Sequence, residues 1–357
     1  MASPSRRHPH DQATLGKVLL VTGSYPPDAC GVGDHCHGLA QGLGRAGAQV
    51  EVYCRKDWNL LAVLRHHRAW RAADAEVLIL AHPTDGYRKS PAPHFALCLP
   101  LAARKLVILH EYTRKSLSGK LACLLFFMFA DQIAFTSQIE RDAAVRTAPW
   151  LKGRTAVIPL ASSIPARDPQ PPDIDVAYFG LIRPGKGIED FLAMLEQTPA
   201  SAGLRIRMIG QTVAGLEGYT AQIRDRFLAL GGVMVTDRGP DEVSDLLSRT
   251  GVVALPFPDG IGKRRSSALA AMANGALVLS TPARVDQELW DGLCLTAPDP
   301  RAMGERLMEV LDDPDRFAPL AAAGMAYARS VSWDDVALAC QALIGRRTGQ
   351  AGPPPPR

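Results

Sequence analysis

The sequence predicts an α/β protein built from two doubly wound domains, and three observations carry that reading. Short apolar runs recur along the chain, the first being Lys17-Val-Leu-Leu-Val-Thr22, and they look like strands buried on both faces of a parallel sheet. Segments with helical spacing lie between most of these runs, which argues for helices covering both sides of such a sheet. A stretch with four prolines, 162–173, interrupts the alternation, after which it restarts. At 357 residues, and roughly 100–200 residues per domain, two domains are expected.

The elements follow in order. After the first strand comes a loop with Pro26, Pro27, Gly31 and Gly33. A helix is expected over 34–45, with Leu39 and Leu43 on one face and Gly47 as its stop. Strands are expected at 49–54, 76–81, 105–110, 132–137 and 155–160. In the second half, strands are expected at 175–179, 204–209, 232–236, 251–256, 276–280 and 293–296. Helices are expected up to Gln197, at 217–230, 241–249, 266–274 and 300–311, and again from about Trp333 to Gly345. The resulting division is a disordered tail at 1–15, a first domain at 16–165 and a second at 174–330. A closing helix at 331–347 and a flexible proline-rich tail at 348–357 complete it.

Composition narrows the function classes. The apolar fraction is 47% and the charged fraction 21%, both ordinary for a globular protein. The net charge of +4 is smaller and less clustered than a nucleic-acid binder usually carries, so no nucleic-acid partner is expected. Such a surplus suits anionic small molecules or a weakly attractive membrane surface. Seven scattered cysteines without a C-x-x-C pair give no support for a zinc or thioredoxin-type site and point to a reducing compartment. The polar start lacks the apolar core of a secretory signal. The longest apolar run, 121–130, is too short for the roughly 20 residues that span a bilayer. A cytoplasmic protein is expected. The same run reads either as a buried helix or as a patch touching the inner face of a membrane, helped by Arg114, Lys115 and Lys120.

In doubly wound sheets, ligands sit outside the carboxyl ends of the strands, so the residues just after each strand are the candidates. Gly31 and Gly33 precede a helix whose free N–H groups favour negative charge; a plain proline-glycine connector remains the other reading. His110 closes a strand, where it either hydrogen-bonds a sugar hydroxyl and holds charge or serves as a structural histidine. His66 and His67 are expected to face solvent, and no histidine pair has metal-ligand spacing.

The run Phe179-Gly-Leu-Ile-Arg-Pro-Gly-Lys-Gly187 ends a strand, turns on glycines and presents Arg183 and Lys186 before a helix. With Gly180 it suits a diphosphate clamp, the alternative being a solvated basic turn. It lacks the P-loop order, which disfavours nucleoside triphosphate hydrolysis. A fourth loop holds Asp259, Gly260, Gly262, Lys263, Arg264, Arg265, Ser266 and Ser267 ahead of a helix. Charge, hydroxyls and helix dipole together could hold a phosphate there; otherwise it is a charge cluster capped by Ser266 or Ser267.

Taken in order, these motifs resemble a GT-B-fold glycosyltransferase of family 4 over nearly the whole chain. The carriers are the opening Val-Thr-Gly-Ser-Tyr-Pro-Pro-Asp-Ala-Cys-Gly-Val-Gly-Asp, the run Phe-Gly-Leu-Ile-Arg-Pro-Gly-Lys-Gly-Ile-Glu-Asp, then Leu-Pro-Phe-Pro-Asp-Gly-Ile-Gly and Ala-Met-Ala-Asn-Gly-Ala-Leu-Val-Leu-Ser-Thr. Val331-Ser-Trp-Asp-Asp-Val336 resembles the family's closing helix, which returns to the first domain. The resemblance implies two Rossmann-like domains with an interdomain cleft, a nucleotide-diphosphate sugar held by the second and an acceptor held by the first. Arg183 and Lys186 match the pair that neutralises the diphosphate. Gly31 and Gly33 match the loop near the donor, and His110 matches the histidine beside the reacting sugar. The family retains anomeric configuration and uses no bound metal or other cofactor, and its acceptors include saccharides, lipid-linked sugars and small molecules.

One departure from the family pattern is visible. Two glutamates eight positions apart, one on the sugar and one on the ribose, have no counterpart. One alignment register puts Asp259 and Ser267 there, and another puts Gly262 and Ala270. Donor recognition is therefore expected to differ, with Lys263, Arg264 and Arg265 replacing part of it. Three functions are compatible: a retaining glycosyltransferase, a weakened relative that binds nucleotide-sugar or supports a partner enzyme, and a sugar-nucleotide epimerase. The last lacks a convincing set of carboxylate and histidine around the sugar.

Overall fold

A computed structural model describes residues 15–198 and 203–345. The two tails expected at the ends lie outside these residues, apart from Leu15. The described chain divides into two compact units, one ending at Pro159 and taking up the chain again at Trp333, the other Leu160–Ser332.

The first unit is a six-stranded parallel sheet of β1 (Lys17–Thr22), β2 (Gln49–Cys54), β3 (Val77–His82), β4 (Arg104–Leu109), β5 (Gln132–Phe135) and β6 (Thr155–Val157), in spatial order β2-β1-β3-β4-β5-β6. Its helices are α1 (Gly31–Arg45), α2 (Val63–Ala72), α3 (Ala92–Cys98), α4 (Leu117–Phe129) and α5 (Gln138–Thr147). Every residue of β3 is buried, as its unbroken Val-Leu-Ile-Leu-Ala run requires of a central strand. β1 lies between β2 and β3 in register, Leu19 facing Glu51 on one side and Leu78 on the other.

The second unit is another parallel sheet of β7 (Ile174–Ile182), β8 (Ile206–Thr212), β9 (Val233–Thr236), β10 (Thr250–Leu255), β11 (Leu277–Ser280) and β12 (Leu295–Thr296), ordered β12-β11-β10-β7-β8-β9. Counted within the unit this is the 3-2-1-4-5-6 order of a dinucleotide-binding domain. The helices are α6 (Ile188–Glu196), α7 (Glu217–Ala229), α8 (Pro240–Ser248), α9 (Ser266–Ala273), α10 (Gln287–Asp291), α11 (Pro300–Asp312) and α12 (Pro314–Arg329). Strand order reverses between β7 and β10 here, and between β1 and β3 in the first unit. The loops leaving those four strands are where each sheet leaves room for a ligand.

The closing helix α13 (Trp333–Gly345) belongs to the first unit. It packs on α1 because Gly38 and Gly42, one turn apart, carry no side chains: a Cβ on Gly38 would stand 2.1 Å from the Trp333 indole, and one on Gly42 2.3 Å from the Trp333 carbonyl oxygen. An Arg45–Asp334 ion pair at 2.7 Å and a hydrogen bond from Arg104 to the Ile344 carbonyl at 2.7 Å secure the two ends of the helix.

Several expectations change. The proline-rich stretch, read as the break between the domains, is strapped onto the second unit. The buried Asn274 side chain accepts from the Arg167 N–H at 2.9 Å and donates to the Pro165 carbonyl at 3.1 Å, and the Ser244 hydroxyl donates to the same carbonyl at 2.8 Å. His66 and His67 are buried, not solvent-facing. His66 stacks on Trp58 and bonds the Tyr53 hydroxyl at 2.9 Å, while His67 bonds the Pro100 carbonyl at 2.9 Å. Helical spacing puts both on the inner face of α2, which their polarity had hidden. Helix α12 was not foreseen, although Asp313 caps it and Pro314 opens it. The apolar run 121–130 forms most of α4, with Cys123, Phe126 and Phe127 buried and Leu121, Met128 and Phe129 exposed, so it is a half-buried helix.

Candidate functional site

In the second unit, three loops close around one another at the carboxyl edge of the sheet. The turn after β7 carries Gly185 and Gly187, both in the left-handed region at φ 76° and 79°. Gly187 opens α6 and lies against the loop after β10; a Cβ on it would stand 1.9 Å from the Pro256 carbonyl oxygen. Gly260, at φ 82°, makes the next contact, its Cβ position lying 2.1 Å from the Pro282 carbonyl oxygen in the loop after β11. The Ile261 N–H donates to the Thr281 carbonyl at 3.1 Å and the Thr281 hydroxyl donates to the Phe257 carbonyl at 2.5 Å. Glycine is required because these backbones approach too closely for any side chain.

Arg183 and Lys186 are both half-buried on the first of these turns. The Arg183 N–H donates to the Leu181 carbonyl at 3.1 Å, and the Lys186 carbonyl accepts from the Tyr178 hydroxyl at 3.2 Å. Gly180 stands in β7 opposite Gly210 of β8, where the Gly210 Cβ position would lie 2.4 Å from the Gly180 carbonyl oxygen.

The cations of the longer loop are drawn onto carboxylates. Asp259, with only 14% of its side chain exposed, binds Arg264 at 2.6 Å and also pairs with Arg265. The Arg265 guanidinium lies over the Phe257 ring at 4.2 Å and donates to the Gly260 carbonyl at 3.2 Å. Lys263 reaches Asp286 at 3.4 Å. Such contacts shape the loop. Ser266 and Ser267 do not cap α9 as the charge-cluster reading would have it: Arg265 occupies the cap position and its side chain makes no cap hydrogen bond. Ser266 is exposed, Ser267 half-buried in the first turn, and Gly262 half-buried with open space at its Cβ position. Ala270, the second position of the other register, is buried within α9.

In the first unit, Gly31 and Gly33 stand in the first turn of α1 rather than in the loop before it, because the Asp34 N–H already bonds the Cys30 carbonyl at 2.9 Å. Gly31 is exposed with open space around it, whereas a Cβ on Gly33 would lie 3.0 Å from the Ser24 carbonyl oxygen. The loops after β1 and β3 are tied together. The Gly23 N–H donates to the Thr84 hydroxyl at 3.0 Å and the Gly86 N–H to the Ser24 hydroxyl at 2.8 Å.

His110 follows β4, 7% exposed, its backbone N–H on the His82 carbonyl at 3.0 Å and its Nε2 without a protein partner. Burial holds its pKa well below the usual histidine range, so the ring is neutral and offers a hydrogen bond rather than a charge. Its ring meets that of His35 edge-on at 4.8 Å. His35, on α1, is 2% exposed with both nitrogens unpartnered, and burial lowers its pKa to about 4. His82 and His94 form a second such pair at 4.7 Å. Sequence reasoning singled out only His110 of these four. The signal for His35 was its position two residues past Gly33 on the inward face of a helix, beside Leu39.

Among the described residues, no group of three or more His, Cys, Asp or Glu side chains is arranged to hold a metal ion, and no helix is long and apolar enough to cross a membrane.

No protein-family model matches the chain, and no curated protein matches it by sequence. Solved structures match it closely in shape. The Anabaena protein HepE, solved with UDP and glucose, is 16% identical at a TM-score of 0.68, over 91% of this chain and 98% of that one. A sucrose-phosphate synthase from Thermosynechococcus elongatus is 16% identical at a TM-score of 0.69, over 92% and 98%. An α-glucosyltransferase solved with UDP-glucose and DNA containing an abasic site is 13% identical at 0.65, over 93% and 99%. Identity this low establishes architecture alone. The chain has the two-domain α/β architecture of the GT-B glycosyltransferases, with two parallel six-stranded sheets.

Proposed function

We propose that this protein is a glycosyltransferase that moves a sugar from a nucleoside-diphosphate sugar to an acceptor hydroxyl, with retention and without a bound metal, in the manner of family 4. The observation that carries the reading is the meeting of the loops after β7 and β10 through Gly187 and Pro256, at the reversal point of the second sheet. Arg183 and Lys186 stand on the first of those loops, and the uncapped amides of α9 follow the second. A diphosphate there would find two cations, backbone donors and the positive end of a helix.

In the reaction as proposed, the acceptor oxygen bonds to the anomeric carbon while the bond from that carbon to the diphosphate breaks on the same face. The acceptor proton passes to the departing phosphate oxygen. Arg183 and Lys186 then act where charge develops, on the leaving diphosphate, and so contribute more to turnover than to ground-state binding. His110, neutral by burial, is assigned to a sugar hydroxyl, and the acceptor to the first unit. HepE was solved with UDP and glucose and the α-glucosyltransferase with UDP-glucose, which supports a uridine donor as the first to try. The α-glucosyltransferase also holds DNA, so the acceptor panel includes nucleic acid besides saccharides, lipid-linked sugars and small molecules. A cytoplasmic location in polysaccharide, glycolipid or glycosylated-metabolite assembly is part of the same reading.

A second reading rests on Asp259. It is the one carboxylate at either register of the missing glutamates, and it is engaged by Arg264 and Arg265. A protein that binds nucleotide-sugar but transfers poorly fits that arrangement. Screening nucleotide-sugars by thermal shift and by hydrolysis separates the two. Stabilisation with turnover supports the transferase, stabilisation without turnover to any acceptor supports the binder, and no response to any donor rejects both.

A further inference from the structure

Exposed apolar side chains are unevenly shared between the two units. Of fifteen large hydrophobic side chains exposed among the described residues, twelve belong to the first unit and three, Leu228, Val233 and Val285, to the second. Eight of the twelve lie on or just before α2, α3 and α4, which pack side by side in that order.

Helix α4 makes the pattern explicit. Its inner face is already satisfied, with Cys123, Phe126 and Phe127 buried. Its outer face carries Leu117, Leu121 and Met128, spaced by four and seven residues along one stripe, while Leu124 between them is half-buried against the core. Leu117 is 76% exposed, Leu121 58% and Met128 55%. A helix apolar on both sides, with one side packed, presents the other to something other than water. Across the layer, Leu61 is 97% exposed at the entrance to α2, followed by Leu64 with Arg65, Arg68 and Arg71 on the same outward side.

Charge decides what covers this face. Residues 55–130 hold twelve Lys and Arg against five Asp and Glu, of which nine and four are exposed, Lys105 being buried on the Leu97 and Leu99 carbonyls, while the whole chain carries only +4. The remainder of the chain is therefore net negative. A second copy would bring a like-charged face against this one, and protein interface cores are depleted of such charges. Nucleic acid would supply the negative charge but has no use for projecting leucines. Leucine interleaved with arginine and lysine is the composition of helices that lie in the plane of an anionic lipid surface, apolar side chains among the acyl chains and cations among the headgroups.

We infer that the α2–α4 layer of the first unit docks on an anionic lipid bilayer. At thirteen residues α4 lies on the surface and does not span it. This inference is independent of the transfer reaction, since none of its residues belongs to the loops assigned to the donor.

Flotation of the full chain with phosphatidylcholine vesicles, and with vesicles doped with phosphatidylglycerol, tests it. Binding should require the anionic lipid and weaken as salt is raised. Leu61→Glu and Leu121→Glu, both at exposed positions, should each lower it at least tenfold with unchanged melting temperature and unchanged nucleoside-diphosphate binding. Leu228→Glu, on the second unit, should leave it as in the parent. Binding that ignores lipid charge, variants that float like the parent, or a concentration-dependent dimer that Leu121→Glu dissolves would each overturn the proposal.

Discussion

Gly187 and Pro256 are in backbone contact: the α-carbon of the one comes so close to the carbonyl oxygen of the other that a Cβ would lie 1.9 Å from it. Residues 69 positions apart in the chain thereby lock the turn bearing Arg183 and Lys186 to the loop that leads into α9. Gly187→Ala should destabilise the second unit by about 2–4 kcal/mol, from a left-handed φ combined with a backbone overlap. Thermal melting with and without UDP measures it, and the ligand-dependent rise in melting temperature should shrink along with the stability.

Trp333 and Gly38 stand in a similar relation inside the first unit, where the indole occupies the space a side chain would need. Gly38→Ala should cost about 1–3 kcal/mol by overpacking the seam between α1 and α13. Hydrogen exchange should show faster exchange in α13, while the core amides of β7 and β10 remain as protected as in the parent.

Buried histidines set the acid limit of the first unit. Burial lowers His35 and His94 to about 4, whereas the unfolded chain titrates near 6.5. The folded state refuses the proton that the unfolded state accepts, so stability is full above pH 6.5 and falls as pH drops toward 4. Each ring contributes up to about 3 kcal/mol to that loss. Asp34 works in the opposite sense. Burial raises its carboxyl to about 6, so its contribution is full below the unfolded carboxylate value near 4 and is lost as pH rises through 6. A melting series between about pH 4 and pH 8 should show a steep acid limb that His94→Phe flattens, and Asp34→Asn should raise stability only on the neutral side.

Much of this architecture was legible from local pattern. Unbroken apolar runs located the central strands β3 and β10, since only strands covered on both faces can be apolar throughout. The break between the units was also marked, but by prolines whose attachment through Asn274 depends on a residue more than a hundred positions away. The glycines at 185, 187 and 260 were visible as candidates, yet their purpose, backbone contact between loops after different strands, is a tertiary fact. The same limit hid the pairing of Arg264 and Arg265 with Asp259, because a run of three cations ahead of a helix reads as a phosphate site or a solvated cluster until a carboxylate is seen beneath it. His66 and His67 were misplaced for the converse reason: a polar pair on a short helix suggests solvent unless Trp58 and Pro100 are known to receive them.

The most direct test of the account is calorimetric titration of UDP and other nucleoside diphosphates into the parent chain and into Lys186→Ala and Arg183→Ala. The account expects at least one nucleoside diphosphate to bind the parent, each substitution to weaken it roughly tenfold or more, about 1.4 kcal/mol, and the melting temperature to stay close to the parent's. Equal affinity in parent and variants would contradict it, as would a parent chain that binds no nucleoside diphosphate.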